Sequence, residues 1–447
     1  MFRLSGDKYT IIILNKQEKH LVFLLLIRIF VPTKRSKTMT TKRLFMTAML
    51  LTAMLTAWAQ SVVSGVVTDR QTGRALSHVS VSAEGGKAHT VTNDEGYFVL
   101  KTKQTPQYLQ LSHIGYKTRR HQLKEGTRNV QIMMTANVVG LHEVVITRND
   151  PMEIVKAAMS RIEKNYPDHP ELVRCFYRET ARRGSRFIAV AEAVADMYKS
   201  GYNRGPERDA VAILKGRRLM SMKAKDTLGV KIQGGPVMPL MVDVAKNPDY
   251  LLKEEEFYKY AFSMEMPAII DDRLQFVVSM EPVGASLYPL MYGKLYIDQE
   301  TLAFTRAELQ LDTRDWRSAS DYMLVHKPFG LRFRPKELSV TIVYETDAQG
   351  ITHMSYVRNE MRFNCDWKKR LFASPFTTVS EMVVTDRQQQ GDGVKRPKGR
   401  NSFGIRERFY DKVEYFDDPD FWADYNIIEP TESLEHAIGK LKKHVRK

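Results

Sequence analysis

The chain has 447 residues, 43% of them hydrophobic and 10% aromatic, with a formal net charge of +16. That composition is too apolar for a disordered chain and long enough for two or three domains with their own cores. Residues 1–59 hold ten Lys/Arg against two Asp/Glu, so half of the net charge lies there; the modest excess that remains suits an anionic lipid or glycan surface without naming a partner.

The first element in chain order is a targeting segment. Lys42 and Arg43 precede an apolar run from Leu44 to Leu55, and Ala57-Trp58-Ala59 supplies a small-x-small cleavage pattern before Gln60. Residues 39–59 therefore read as a secretory signal peptide, because the run is shorter than the roughly 20 residues of a membrane span. Residues 1–38 read as an over-extended start, with translation beginning at Met39. No Cys follows the signal, so a bacterial lipoprotein anchor is not indicated. Export implies an oxidising compartment, yet the chain has only Cys175 and Cys365, and both are expected as buried thiols in strands.

From 61 to 147 the sequence reads as short strands with turns at regular spacing: "SVVSGVVTD", "ALSHVSVSAEGG", "AHTVTNDEGYFVLKT", "QYLQLSHIGYKTRRHQL" and "NVQIMMT". No helical run separates them, which predicts a small antiparallel sandwich. The positions Gly65, Asp69, Gly73, Asp94, Gly96 and Tyr116, with the text around them, resemble the carboxypeptidase-regulatory-like module. That resemblance implies a transthyretin-like seven-stranded sandwich and no catalytic activity. Asn93, Asp94, Glu95 and Gly96 are expected as a tight turn, Gly96 tolerating positive φ, and not as a metal loop.

"DPMEIVKAAMSRIEKNYPDHP" is the best-signalled helix: Asp150 caps it, Pro151 fits the first turn, and Ile154, Ala158 and Ile162 share an apolar face. Beyond it, "VRCFYRETAR", "RFIAVAEAVADMYK", "RLQFVVSMEP", "GKLYIDQETLAFTRAELQLD", "KELSVTIVYET", "ITHMSYVRNEMRFNC" and "LFASPFTTVSEMVVTD" predict a broad antiparallel meander. "PLMVDVAKNPDYLL" reads as a helical insert, residues 386–401 as a mobile basic loop, and 432–443 as a C-terminal helix. "IEKNYPDHPELVRCFYRE", "GKLYIDQETLAFTRAEL" and "DPDFWADYNIIEP" resemble the uncharacterised C-terminal region that accompanies the module in Gram-negative envelope proteins. "GKLYIDQETLAFTRAEL" also resembles strands of the outer-membrane lipoprotein-carrier fold, which implies a curved half-barrel sheet. The fold class is thus mainly β: the sandwich at 61–147, then a larger antiparallel α+β domain at 150–447.

The usual catalytic signatures are missing from the sequence. No histidine begins His-x-x-Glu, so a zinc carboxypeptidase centre is not indicated. Gly284-Ala285-Ser286 lacks the second glycine of a nucleophile elbow, and there is neither a phosphate-cradling loop nor a dinucleotide fingerprint. The paired acids Asp271-Asp272 and Asp417-Asp418 are expected as solvated turn residues. Two binding surfaces are candidates. Phe176, Tyr177, Tyr198, Tyr296, Phe304, Met354 and Tyr356 could line an apolar ligand cavity, or simply fill the core. Lys395, Arg396, Lys398 and Arg400 could contact phosphate groups, or stay solvated. The expectation is an exported binding protein of the periplasm or the periplasmic face of the outer membrane. It uses no catalysis and no cofactor, and spans no membrane after signal cleavage. Its partner is an envelope protein, lipid or glycan and not a nucleic acid. Lipid or lipoprotein handling and a hydrolase with an unrecognised site are the alternatives.

Overall fold

Alternation of buried and outward residues writes the first seven strands directly. They are β1 (Ser61–Asp69), β2 (Ser80–Ala83), β3 (His89–Val91), β4 (Tyr97–Thr102), β5 (Tyr108–Ser112), β6 (Arg119–Gln122) and β7 (Asn129–Met134). The computed structural model describes residues 60–447 except 87, 125, 138–149, 224–230, 233, 285, 327–328, 368–372, 392, 399–401, 405–406, 408, 416–420 and 446–447. The expected start segment 1–38 and signal peptide 39–59 lie outside the described residues, as does most of the connector after the sandwich.

β1 is the centre of a three-stranded sheet, antiparallel to β4 and parallel to β7, and the facing sheet has the order β3-β2-β5-β6. Val67, Val81, Phe98, Leu100, Leu111 and Ile132 of the two sheets meet with no exposed surface. The seven-stranded two-sheet sandwich is as expected. Gly96 fits its turn for a physical reason: its φ is +74°, and a Cβ there would lie 2.6 Å from the Val67 carbonyl oxygen.

The rest of the chain forms α1 (Pro151–Ser160), β8 (Glu171–Arg183), β9 (Arg186–Lys199), β10 (Ala210–Met220), β11 (Lys231–Ile232), β12 (Tyr260–Met264), β13 (Ala268–Ile270) and β14 (Arg273–Pro282). There follow β15 (Met291–Asp298), β16 (Phe304–Leu311), α2 (Trp316–Met323), β17 (Leu324–His326), β18 (Leu331–Thr346), β19 (Thr352–Trp367), β20 (Ser374–Gln390), β21 (Ser402–Phe403), β22 (Glu414–Tyr415) and α3 (Glu432–Val445). Thirteen strands make one sheet, in the order β12-β14-β15-β16-β18-β19-β20-β8-β9-β10-β21, with β13 beside β14 and β22 parallel to β10; β11 and β17 pair separately. The path does not close into a barrel among the described residues. Antiparallel neighbours dominate, and the late strand β20 pairs with the early strand β8.

Period 2 sorts the sheet's two faces. Cys175 and Tyr177 of β8 and Ala191, Ala193 and Ala195 of β9 join the main core, together with Ile154, Val155 and Ala158 of α1. Asp150 caps α1, its carboxylate accepting from the Met152 amide at 2.9 Å. The alternate residues Phe176 and Val194 face the other way, packing with Val91 of the sandwich and with Trp422, Ile427 and Ile428 of the tail. Val190 and Leu219 on that side carry Leu434 and Leu441 of α3. One face therefore holds the core, and the other holds sandwich and tail. Cys175 and Cys365 are buried free thiols with β20 between their strands, and burial pushes each up to about 12.

Candidate functional site

The Asn93 turn is more than a hairpin. The Asn93 side-chain oxygen accepts from the amides of Glu95 and Tyr97 at 2.9 and 3.0 Å, while its amide nitrogen donates to the Pro430 carbonyl at 3.2 Å. Glu95 accepts from the Glu432 amide at 3.0 and 3.1 Å, placing a carboxylate at the positive end of α3. Lys101 donates through Nζ to the carbonyls of Trp422 and Tyr425, at 2.6 and 2.9 Å. A second anchor is the β13–β14 hairpin, where Asp271 and Asp272 both have positive φ. Asp271 accepts from Ser112, and Asp272 accepts from the Thr118 amide at 3.1 Å. Asp271 is therefore not a solvated turn acid: desolvation at this seam pushes its carboxyl up to about 6.

The same seam brings together Ser80, His89 and Glu345, the residue types of a hydrolytic relay. Ser80 Oγ donates to Glu345 at 2.5 Å, and His89 Nε2 lies 3.1 Å from the same carboxylate oxygen. The other ring nitrogen, Nδ1, faces the Val384 carbonyl at 2.8 Å. A relay needs the serine on one imidazole nitrogen and the acid on the other; here serine and acid share Nε2, and both nitrogens face acceptors. Burial alone would lower the His89 pKa, but Glu345 outweighs it and raises it; burial alone would raise Glu345, yet His89 and Ser80 hold it at about 2. The arrangement is an ion pair clamping sandwich to sheet. Glu381 repeats it, accepting from Tyr356 and Arg358 at 2.9 and 3.1 Å with His78 at 3.5 Å.

A third constellation is fully enclosed. Asp243 accepts from Lys199, Tyr202 and Tyr344 at 2.7, 2.9 and 2.9 Å. Lys246 Nζ donates to the Ser200 carbonyl at 2.7 Å and lies 3.7 Å from Asp209. Burial lowers the Lys246 pKa to about 8 and raises that of Asp209. Perturbed groups of this kind mark reactive sites when a substrate can reach them. Here Asp243 and Lys246 are 0% and 3% exposed, so the network braces the segment 238–251 against the sheet.

An accessible site lies elsewhere, past the end of β16 and against the first residues of β18. A cavity of about 340 Å³ is lined by Thr313, Arg314, Trp316, Arg334, Pro335 and Lys336. β18 turns Arg332, Arg334 and Lys336 outward in alternation with buried Leu331, Phe333 and Pro335. Asp315 caps α2 by accepting from the Arg317 amide at 3.0 Å, which sets Trp316 at the mouth. The guanidinium carbons of Arg317 and Arg334 sit 5.4 and 5.9 Å from the Trp316 ring centre. Asp312 engages Arg314 at 2.7 Å. Arg317, Arg334 and Lys336 have no carboxylate at ion-pair distance among the described residues. Cationic donors around an aromatic face in a concave site are chemistry for a phosphate or carboxylate group.

Comparison with known proteins identifies the sandwich. Residues 63–146 match the model of the CarboxypepD_reg-like domain. No curated protein matches the chain. Among solved structures, a DUF1329 family protein from Desulfovibrio piger aligns at 10% identity and a TM-score of 0.24, over 55% of this chain and 96% of that one. A LolA superfamily protein from Nitrosomonas europaea aligns at 12% identity and a TM-score of 0.16, over 52% of this chain and 93% of that one. Scores this low leave the large sheet to be described by its own topology. In this chain the CarboxypepD_reg-like domain is no free spacer, since its turn and edge residues are engaged with the sheet and tail.

The residues singled out in the sequence are scattered. Phe176 and Tyr356 share the cluster beneath the sandwich, Tyr177, Phe304 and Met354 lie in the main core, and Tyr296 belongs to a small cluster with Ile270 and Val277. Tyr198 is half-buried on β9. The seven do not line one cavity; alternation sent neighbouring aromatics to opposite faces. In the basic stretch, β20 takes residues 386–390, and Arg396 donates to the Glu207 and Asp209 carbonyls at 3.4 and 3.2 Å. Lys395 and Lys398 are exposed, and Arg400 lies outside the described residues. Sequence reasoning missed the cleft, whose signal was two interleaved runs, "RDWR" and "RFRPK".

Proposed function

We propose that the chain is a non-catalytic binding protein of the cell envelope that holds an anionic group in the Arg314–Trp316–Arg334–Lys336 cleft. The observation that carries this reading is the cleft itself, where Arg334 and Lys336 stand without carboxylate partners beside an exposed indole. A phosphate or carboxylate would accept from Arg334 and Lys336 and lie against the indole edge. The CarboxypepD_reg-like domain serves as a clamp that fixes sheet and tail as one platform. Export follows from the signal-like segment at 39–59. No helix among the described residues is long and apolar enough to cross a membrane. The engaged geometry of Ser80, His89 and Glu345 supports binding over hydrolysis.

Trp316 reports on the cleft. Titration of the chain with glycerol phosphate, followed by the Trp316 indole resonance (assigned with Trp316→Phe), is expected to give a saturable shift that Arg334→Glu/Lys336→Glu abolishes. A shift of equal size and midpoint in that variant, or none in the wild-type chain, refutes the reading.

A further inference from the structure

We infer that the rim of this cleft docks on an anionic lipid surface, with Val283 and Leu287 entering the headgroup layer. The inference rests on the cleft as a site for anions and adds the apolar surface beside it. Leu287 is 98% exposed, Tyr258 78%, Val283 60%, Tyr288 42% and Trp316 37%. These side chains come from three segments bonded to one another. The Val283 amide donates to the Lys259 carbonyl at 2.7 Å, Lys259 Nζ to Tyr288 Oη at 2.5 Å, Ser318 Oγ to the Leu287 carbonyl at 3.4 Å and Arg314 to the Gly284 carbonyl at 3.4 Å. The loop between β14 and β15 is thus pinned with its apolar residues outward. Grouped exposed apolar residues of this kind mark an interaction surface.

Charge decides which surface. Asp312 is engaged by Arg314, Asp315 by the start of α2, and Glu256 by Lys253 and Lys259. Arg317, Arg332, Arg334 and Lys336 are the cations left to face a partner, against the exposed acids Glu255, Glu281 and Asp321. Aromatic side chains with one wet end, aliphatic tips and uncommitted cations together match the chemistry of an anionic bilayer interface. Each such cation is worth about fivefold in partitioning near an anionic leaflet.

Flotation of the full chain with phosphatidylcholine vesicles, with and without phosphatidylglycerol, tests this. Binding is expected only with phosphatidylglycerol, weakening as salt rises. Val283→Asp/Leu287→Asp, at exposed positions that leave the fold intact, is expected to reduce vesicle binding by about tenfold or more while the Trp316 response to glycerol phosphate persists. Equal binding to neutral vesicles, or no effect of the loop variant, overturns the inference. Glycerol phosphate binding without vesicle binding overturns it while sparing the cleft. Loss of both readouts in the wild-type chain refutes the cleft reading as well.

Discussion

Glu95 sits in a polar turn yet reaches across to the first residue of α3, 337 positions away. Its carboxylate satisfies an otherwise unpaired amide and meets the positive end of the helix dipole. Glu95→Ala is expected to lower stability by about 0.5–2 kcal/mol, with hydrogen exchange of the first α3 amides accelerating most; unchanged exchange there would show the contact to be idle. The turn itself was legible, because Asn, Asp and Gly between alternating residues have few other uses. Its second role was not, since nothing local in "NDEG" encodes a partner in "EPTE". The same limit applied to Asp271, whose contact with Ser112 depends on a sandwich strand far upstream.

Strand β9 makes the case for elements. Its alternation was readable from "RFIAVAEAVADMYK", and the strand spans that whole stretch. Glu192 breaks the apolar series on the face it shares with Val190 and Val194, and the register explains why it can. Its cross-strand partners are Arg178 on β8 and Arg217 on β10. Each arginine reaches the carboxylate at 2.7 Å, and the Trp422 indole adds a bond at 3.2 Å. Burial alone would raise Glu192, but the two arginines hold it at about 2. Removing its charge strands buried cations, so Glu192→Gln is expected to cost about 3–5 kcal/mol in denaturant unfolding. A loss below about 1 kcal/mol would mean that water already screens the pair. A single strand's sequence shows the odd carboxylate; only the order of the sheet supplies its counter-ions.

At the scale of the whole molecule, the seam makes one body from two domains legible separately in the sequence. Glu345 and Glu381 at the seam and Glu192 beside the tail are each held at about 2 in the folded chain, against an ordinary glutamate value of 4.5. A depressed carboxylate contributes stability that is complete above 4.5 and is lost as pH falls through the folded value. Unfolding midpoints are therefore expected to drop steeply from about pH 4.5 toward pH 2, and Glu345→Gln/Glu381→Gln to flatten that limb. An equally steep limb in the double variant would place the acid sensitivity elsewhere. The binding end was hidden from the sequence because the cleft joins α2 to β18, and the apolar rim adds segments around 258 and 283–288, none of them a motif alone.

Hydrogen–deuterium exchange of the full chain, with and without phosphatidylglycerol vesicles, locates the contact directly. Protection is predicted in residues 283–290, 312–318 and 331–337, with the sandwich strands unchanged. Protection confined to the sandwich or to the β10–β21 edge, with these three segments unaffected, would contradict the assignment of the binding face.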